Sequence, residues 1–403
     1  MLPSKFNPLG RVVDKPSFPP LSCQAVDLLV IAGEASGDEH ASQLIKNLKA
    51  RNPSLQIVGL GGDELQKAGV ELLFNLVDHA VVGIFEVLKN YSFFRELFNL
   101  TVEWIRKNKP KTILLVDYPG FNLRLAEALK KTSVSRKGGG EIIVLQYVSP
   151  QLWAWKPRRR FKMEKVLDSL AVIFPFETDC YKDVNLPVAF VGHPMVGSGK
   201  REQLIQYDPA GPFLLLPGSR SQAIERILPV LLSSFEKLLT EFPNVSALIP
   251  ASNVKMKETI RGILESHKNL KEKVEITEST NDLSARFALM SSGTMSLRSA
   301  LSGIPGLIIY KAHPFTFLLG KALIKVKYLG MANLLLPETP PYVEFIQGRA
   351  KPRLILMEIK NMLGKEVVCR QRSLSSAKQL KNLLRVPQDR GVVEWLEDEG
   401  RLG

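Results

Sequence analysis

Two consecutive series of short apolar strands alternating with amphipathic helices predict an α/β chain of two doubly wound domains followed by C-terminal helices. Three observations carry this expectation. The strand-length runs are apolar almost throughout, as in parallel sheets covered on both faces. The stretches between them repeat apolar residues three and four apart. And 403 residues exceed what one hydrophobic core ordinarily organises.

The first series opens with 25–32 (AVDLLVIA), which runs through Gly33, Glu34, Ala35, Ser36, Gly37 and Asp38 into a helix reaching Ala50. A strand over 56–60 and a Gly61, Gly62 turn complete a βαβ opening. A helix over 92–107, a strand over 112–116, a helix over 122–131 and a strand over 142–147 continue the alternation, with 135–140 (SRKGGG) as a flexible connector.

The second series begins with a strand over 213–216 and a helix over 222–241. It continues with a strand over 245–249, a helix over 254–267, a strand over 274–277 and a helix over 281–290. A turn at 291–294 (SSGT), a helix over 295–302 and a strand over 306–310 follow. The expected domains are a flexible extension over 1–25, an N-terminal domain over 26–195, a C-terminal domain over 196–350, and helices over 351–403 packing back on the N-terminal domain. Two such domains place the carboxyl ends of both sheets on a common cleft, where ligands of open α/β sheets bind.

A net charge of +14 favours anionic partners: phosphorylated metabolites, an anionic membrane or nucleic acid. Nucleic acid is excluded, because the basic residues are dispersed and no recognised module appears. Cys23, Cys180 and Cys369 stand far apart without metal or disulfide spacing, so a reducing compartment is expected. The five histidines form no ligand set, and neither a metal nor a cofactor is expected. No apolar run reaches the roughly 20 residues of a spanning helix, and 1–20 lacks the apolar core of a signal peptide. A cytoplasmic protein with at most peripheral membrane contact is expected.

Candidate chemistry gathers where strands end. At 216–220 (LPGSR) a strand breaks at Pro217 and Gly218 into a helix, whose unpaired N–H groups suit a phosphate; Ser219 and Arg220 lie at that start. An ordinary strand–helix connection explains the same residues equally well. Asp117 ends an apolar strand, where partial desolvation suits a general base and the Pro-Gly turn beyond suits a helix cap. Ser36 and Asp38 suit capping, while Glu34 is less easily explained that way; His193 stands alone at the domain seam. The loop 147–160 (YVSPQLWAWKPRRR) reads either as a packed Trp pair beside a solvated turn or as a contact surface for a phosphorylated or membrane-bound partner. Two stretches, from Val81 to Phe98 and from Pro314 to Leu329, are apolar beyond core needs and suit either burial or an interfacial helix.

In their order along the chain, GEASGD (33–38), VVGIFEVL (81–88), VDYPGFN (116–122), YVSPQLWAWK (147–156), FPFE (174–177), FVGHPM (190–195) and LPGSR (216–220) resemble one bacterial family. SSGTMSL (291–297), the run over 310–335 and VEFIQ (343–347) extend the match. It is the lipid-A-disaccharide synthase family, glycosyltransferases of GT-B fold with two Rossmann-like domains facing a cleft.

The resemblance implies an inverting transfer from UDP-2,3-diacylglucosamine to 2,3-diacylglucosamine 1-phosphate (lipid X), giving the β-1,6-linked disaccharide and UDP. Asp117 matches the base. Gly218, Ser219, Arg220, Gly293, Thr294, Asn333, Glu344 and Gln347 match the nucleotide site, and Glu34, Ser36, Asp38, Glu86 and His193 the acceptor cleft. Val82, Phe85, Leu88, Phe315, Phe317 and Leu318 would meet acyl chains or the inner face of the cytoplasmic membrane. A homodimer is a further implied partner state. Two departures stand out: Ala223 and Arg298 occupy positions where relatives carry Glu, and Arg cannot accept a bond from a ribose hydroxyl. Other readings are a GT-B transferase using another lipid-linked acceptor, or a catalytically idle UDP-binding homologue.

Overall fold

The computed structural model describes residues 15–22, 25–80, 91–196, 205–251, 253–278, 283–313, 317, 326–386 and 391–402. The chain forms two compact units, one of Met1–Pro194 with Val386–Gly403, the other of Met195–Arg385.

Among the described residues, the first unit carries a seven-stranded parallel sheet. Its strands are β1 (Leu28–Ala32), β2 (Ile57–Gly61), β3 (Glu71–Asn75), β4 (Thr112–Val116), β5 (Ile143–Tyr147), β6 (Ser169–Val172) and β7 (Val188–Phe190). The spatial order β3-β2-β1-β4-β5-β6-β7 reverses between β1 and β4, which run in register from Leu28↔Thr112 to Ala32↔Val116. Helices α1 (Ala35–Arg51), α2 (Asp63–Lys67), α3 (Leu76–Ala80), α4 (Tyr91–Asn108), α5 (Pro119–Lys131) and α6 (Arg159–Val166) form the connections. Every residue of β1, β4 and β5 is buried, which explains why they are apolar but for Thr112 in β4 and Gln146 in β5. Each such Leu, Ile or Val contributes about 1.5–3 kcal/mol on leaving water.

The second unit repeats the plan with β9 (Phe213–Leu216), β10 (Ala247–Pro250), β11 (Val274–Thr277), β13 (Phe287–Met290), β14 (Gly306–Tyr310) and β15 (Val343–Ile346). Their order is β11-β10-β9-β13-β14-β15, reversing between β9 and β13. Two short strands, β8 (Gln206–Tyr207) and β12 (Ser284–Ala285), pair separately. The helices are α7 (Ser221–Leu239), α8 (Val254–Leu264), α9 (Thr294–Leu301), α10 (Met331–Leu335), α11 (Pro352–Leu363) and α12 (Glu366–Leu384). Helix α13 (Val392–Gly400) belongs to the first unit.

Three expectations need correction. The helix expected over 281–290 is strand: Phe287–Met290 lies at the centre of the sheet, fully buried between β9 and β14. A four-residue buried run has no periodicity that separates strand from helix. The tail over 351–403 divides: α11 and α12 stay with the second unit, and only Val386–Gly403 returns to the first. There Trp395 is fully buried, its indole N–H donating to Ser169 Oγ (3.2 Å), and Thr112 Oγ1 donates to the Gly400 carbonyl (2.7 Å). The described part of the N-terminal extension is also packed. Phe18 and Leu21 rest on the first core, and the Ser22 N–H donates to Glu71 Oε1 (2.9 Å).

Of the two apolar stretches, Phe93 and Leu97 are buried in the first core, with Phe94 and Phe98 packed on it. Val82, Phe85, Glu86 and Leu88, and Phe315 and Leu318, lie outside the described residues. Phe317 is described and half-buried, its N–H donating to the His313 carbonyl (2.9 Å). Among the described residues no helix is long and apolar enough to cross a membrane.

Candidate active site

Each sheet has a crevice outside the carboxyl ends of the strands where its order reverses, the place where open α/β sheets take ligands. In the first unit β1 delivers Gly33 and Glu34 to that point, and β4 delivers Asp117 and Tyr118. The two loops touch: a Cβ added at Gly33 would lie 2.3 Å from Tyr118 Cδ1, so only glycine fits there. Glu34, at the N-cap of α1, is half-buried, and its charge adds to the burial that raises the Tyr118 phenol above its usual range. Ser36 is half-buried in the first turn of α1.

Asp117 and Tyr118 both hold left-handed backbone, φ 48° and 43°. Residues with side chains seldom adopt that region unless their surroundings fix it. Here the Asp117 N–H donates to the Tyr147 carbonyl (3.0 Å), while its own carbonyl accepts from Asn122 Nδ2 (2.9 Å) and Gln146 Nε2 (3.2 Å). Asn122 and Gln146 are fully buried. Main chain pinned at donor and acceptor leaves the half-buried Asp117 carboxylate only its side-chain torsions. The helix beyond takes Tyr118, not Asp117, as its N-cap residue.

Two acceptor-cleft candidates turn inward. Asp38 is buried, and its carboxylate accepts from the Gly62 N–H (2.7 Å) and the Glu64 N–H (3.0 Å). It therefore fixes the turn after β2 and the start of α2; burial raises its pKa, while these N–H bonds oppose the rise. His193 is buried, its ring centroid 5.2 Å from Phe174 and 6.3 Å from His40. Burial lowers its pKa to about 3, with His40 adding to the effect, so the ring is neutral.

Glu177 escaped sequence reasoning except as a letter of FPFE. It begins to matter once folded: it is 2% exposed, in the 3-10 turn Pro175–Tyr181, and Oε2 accepts from the Phe174 N–H (3.2 Å). Burial, opposed by hydrogen bonding and reinforced by the charge of Asp117, raises its pKa to about 8. Glu177 is therefore protonated at neutral pH and Asp117 has an uncharged carboxyl neighbour. Tertiary burial creates this property, and no sequence spacing announces it.

In the second unit the reversal point lies between β9 and β13, where Leu216 and Met290 are register partners. From β9 the chain passes through Pro217, Gly218 and Ser219 to Arg220, the N-cap of α7. Gly218 has φ 107°, and a Cβ there would stand 3.2 Å from Ser291 Oγ on the neighbouring loop. From β13 the chain passes through Ser291 and Ser292 to Gly293, the N-cap of α9, with Thr294 as its first residue. The Ser291 N–H donates to the Leu216 carbonyl (2.8 Å), tying the loops together. Two helix starts with exposed Ser219, Arg220, Gly293 and Thr294 thus flank one crevice. Unused N–H groups at helix starts and a guanidinium suit a diphosphate.

The remaining nucleotide-site candidates are engaged with main chain. Glu344, on β15, accepts from the N–H groups of Leu329 (2.9 Å) and Gly330 (2.9 Å) and from Asn333 Nδ2 (2.8 Å). Asn333 is fully buried, exchanging bonds with the Tyr342 N–H (3.0 Å) and carbonyl (2.9 Å). Gln347 clips both backbone groups of Ala312, at 2.9 and 3.1 Å. These three amide and carboxylate groups shape the loops after β14 and β15. Arg298 is buried within α9, and Ala223 packs against the second core. Among the described residues no three His, Cys, Asp or Glu side chains form a metal-ligand cluster.

The family model of lipid-A-disaccharide synthetase matches residues 28–390. The chain belongs to the lipid-A-disaccharide synthetase family. It is a glycosyltransferase of GT-B fold. It is 37% identical over 350 residues to the lipid-A-disaccharide synthase of Coxiella burnetii (strain Dugway 5J108-111), covering 84% of this chain and 89% of that one. With lipid-A-disaccharide synthase 1 of Legionella pneumophila (strain Lens) it shares 38% over 317 residues, 76% and 80% of the two chains. Solved structures share the fold at low identity. The glycotransferase of kitacinnamycin superposes with TM-score 0.55 at 13% identity, over 93% of this chain and 99% of that one. UDP-GlcNAc 2-epimerase from Neisseria meningitidis bound to UDP-GlcNAc gives 0.53 at 11%, over 93% and 97%.

Proposed function

We propose that the chain joins UDP-2,3-diacylglucosamine to 2,3-diacylglucosamine 1-phosphate, releasing UDP and forming the β-1,6-linked lipid A disaccharide 1-phosphate. Family membership supports this reading, and the carboxylate of Asp117, carried on pinned main chain at the β1/β4 crevice, is the observation that carries the mechanism.

Asp117 removes the proton of the acceptor 6-hydroxyl as that oxygen attacks the donor C1. The C1–oxygen bond to the diphosphate breaks, UDP leaves with the electron pair, and the anomeric configuration inverts. Arg220 and the N–H groups starting α7 and α9 receive the charge growing on the diphosphate, so the step needs no metal. Burial holds Glu177 toward its uncharged form, so no second full negative charge stands beside Asp117. Acyl chains on both sugars bring the protein to the inner face of the cytoplasmic membrane as a peripheral protein.

The test is UDP release in the presence of both acylated sugars. Release that requires the acylated glucosamine 1-phosphate supports the reading. UDP binding without release on this or another lipid-linked acceptor would identify an idle homologue instead, with Ala223 and Arg298 the first residues to revert to Glu.

A further inference from the structure

The two tryptophans of the 147–160 loop part company in the fold. Leu152 is buried in the first core, and Trp153 packs edge-on against Phe176, ring centroids 5.6 Å apart. Trp155 is instead 41% exposed, as is Phe161 in the first turn of α6. Lys156 Nζ lies 4.3 Å and the Arg159 guanidinium 5.6 Å from the Trp155 ring, and Arg160 lies 4.5 Å from the Phe161 ring. The packed-pair reading of this loop is therefore wrong. What the loop presents is two aromatic rings with cations lying over them.

Its charge is one-sided. Residues 148–162 include Lys156, Arg158, Arg159, Arg160 and Lys162 and no acidic residue. Asp183 fixes Arg160 through two bonds (2.6 and 2.5 Å), Arg160 also holds the Pro157 carbonyl (2.7 Å), and Glu127 pairs with Lys162 (2.5 Å). These contacts anchor the base of the loop, while Lys156 and Arg158 remain exposed beside Trp155.

We propose that this loop and the first turn of α6 are a docking surface for an anionic phospholipid bilayer, Trp155 and Phe161 entering the headgroup layer while Lys156, Arg158 and Arg159 meet lipid phosphates. Exposed rings whose neighbouring cations lie along them have the amphipathic make-up of interfacial residues. A strand of nucleic acid would need aromatics spread along an extended groove, and here the two exposed rings lie six residues apart on one loop and the helix start that follows it. The position fits a lipid acceptor, since the loop leaves β5 beside Tyr147, whose carbonyl holds the Asp117 N–H. The inference rests on the proposed function to the extent that acylated substrates give the protein cause to dock.

Co-sedimentation of the full chain with vesicles of phosphatidylcholine containing phosphatidylglycerol, against phosphatidylcholine alone, tests it. Stronger partition to the anionic vesicles is expected. Lys156→Gln/Arg158→Gln should weaken it about 25-fold, at about five-fold for each charge, and Trp155→Ala/Phe161→Ala about ten-fold, at unchanged melting temperature. Trp155→Phe should keep partition yet lose the part of the fluorescence quenching by brominated lipid that Trp155 reports. Unchanged partition in both double variants, or quenching undiminished in Trp155→Phe, would overturn the proposal. So would a saturable response of Trp155 to soluble glucosamine 1-phosphate without vesicle binding, which would assign the patch to a free phosphate. Partition is read without turnover, so a protein that docks but transfers no sugar refutes the proposed function alone. One that transfers sugar but ignores these substitutions refutes the docking surface alone.

Discussion

The two crevices occupy the same place in two copies of one topology, yet they are furnished in opposite ways. Around Asp117 the main chain is left-handed and tied by buried amides, and the useful group is a side chain. Around Gly218 and Gly293 the side chains are small or exposed, and the useful groups are N–H donors at helix starts, with Arg220 beside them. A proton acceptor has to be held within a fraction of an ångström of one hydrogen, which calls for rigid support. A diphosphate is large, charged and tolerant of angle, and converging dipoles suffice for it. Substitutions should accordingly separate turnover from nucleotide affinity.

The largest effect is expected at Asp117. Asp117→Asn should lower the rate of UDP release by about 10²–10⁴-fold, the range of a lost general base, with UDP affinity by calorimetry unaltered. Near-normal turnover in this variant would remove Asp117 from the mechanism. Next is Arg220→Ala, expected to weaken UDP binding by about 1.5–3 kcal/mol, as for a hydrogen bond to a charged group, with Arg220→Lys restoring only part because a point charge replaces a fork. An unaffected dissociation constant would place the diphosphate elsewhere.

Gln146→Leu sharpens the contrast from the other side. Removing one amide from the Asp117 carbonyl should cost about 1–3 kcal/mol of stability and lower turnover more than it raises the Michaelis constant for the UDP-sugar. If the Michaelis constant alone changes, the support has been assigned to the wrong site.

The smallest expected effect on activity is at Glu177, where pH is the lever. Its pKa is raised in the fold to about 8, so between the ordinary Glu range and pH 8 the native state binds more protons than the unfolded chain. Its contribution is fully present at low pH and is lost as pH rises through that window. Glu177→Gln should flatten the decline in melting temperature between pH 5 and 8. His193 acts in the opposite sense: with its folded pKa lowered to about 3, it costs stability as pH falls below about 6.5. A wild-type decline unchanged by Glu177→Gln would show that the carboxyl is ionised in the fold.

Much of the architecture was legible because parallel strands buried on both faces have little choice of residue. LLVIA, TILLV and FLLL declare themselves without periodicity. FALM declares itself less well: preceded by a polar stretch and followed by a helix start, it reads as a helix until its neighbours are known. Asp117 was legible because a charged residue closing so apolar a strand stands out against it, at the end of the sheet where ligands bind. Gln146 and Asn122 were not, since nothing local says that their amides converge on one carbonyl. Asp38, Glu344, Asn333 and Gln347 teach the converse. Residue identity marked them as polar and notable, but only the fold shows that their partners are main-chain groups.

The return of Val386–Gly403 to the first unit also sets an order of events during synthesis. Translation proceeds at about 5–20 residues per second, so the residues from Met195 to Arg385 take on the order of 10–40 s to emerge after Pro194. Throughout that interval β6 lacks Trp395, and Thr112 lacks the carbonyl it will bond. The second unit can complete its sheet first, leaving the N-terminal half to close last. A nascent chain in that state exposes apolar surface at the amino ends of β4 and β6, the opposite end of the sheet from Asp117, which makes the protein a natural client for chaperones that bind such surfaces.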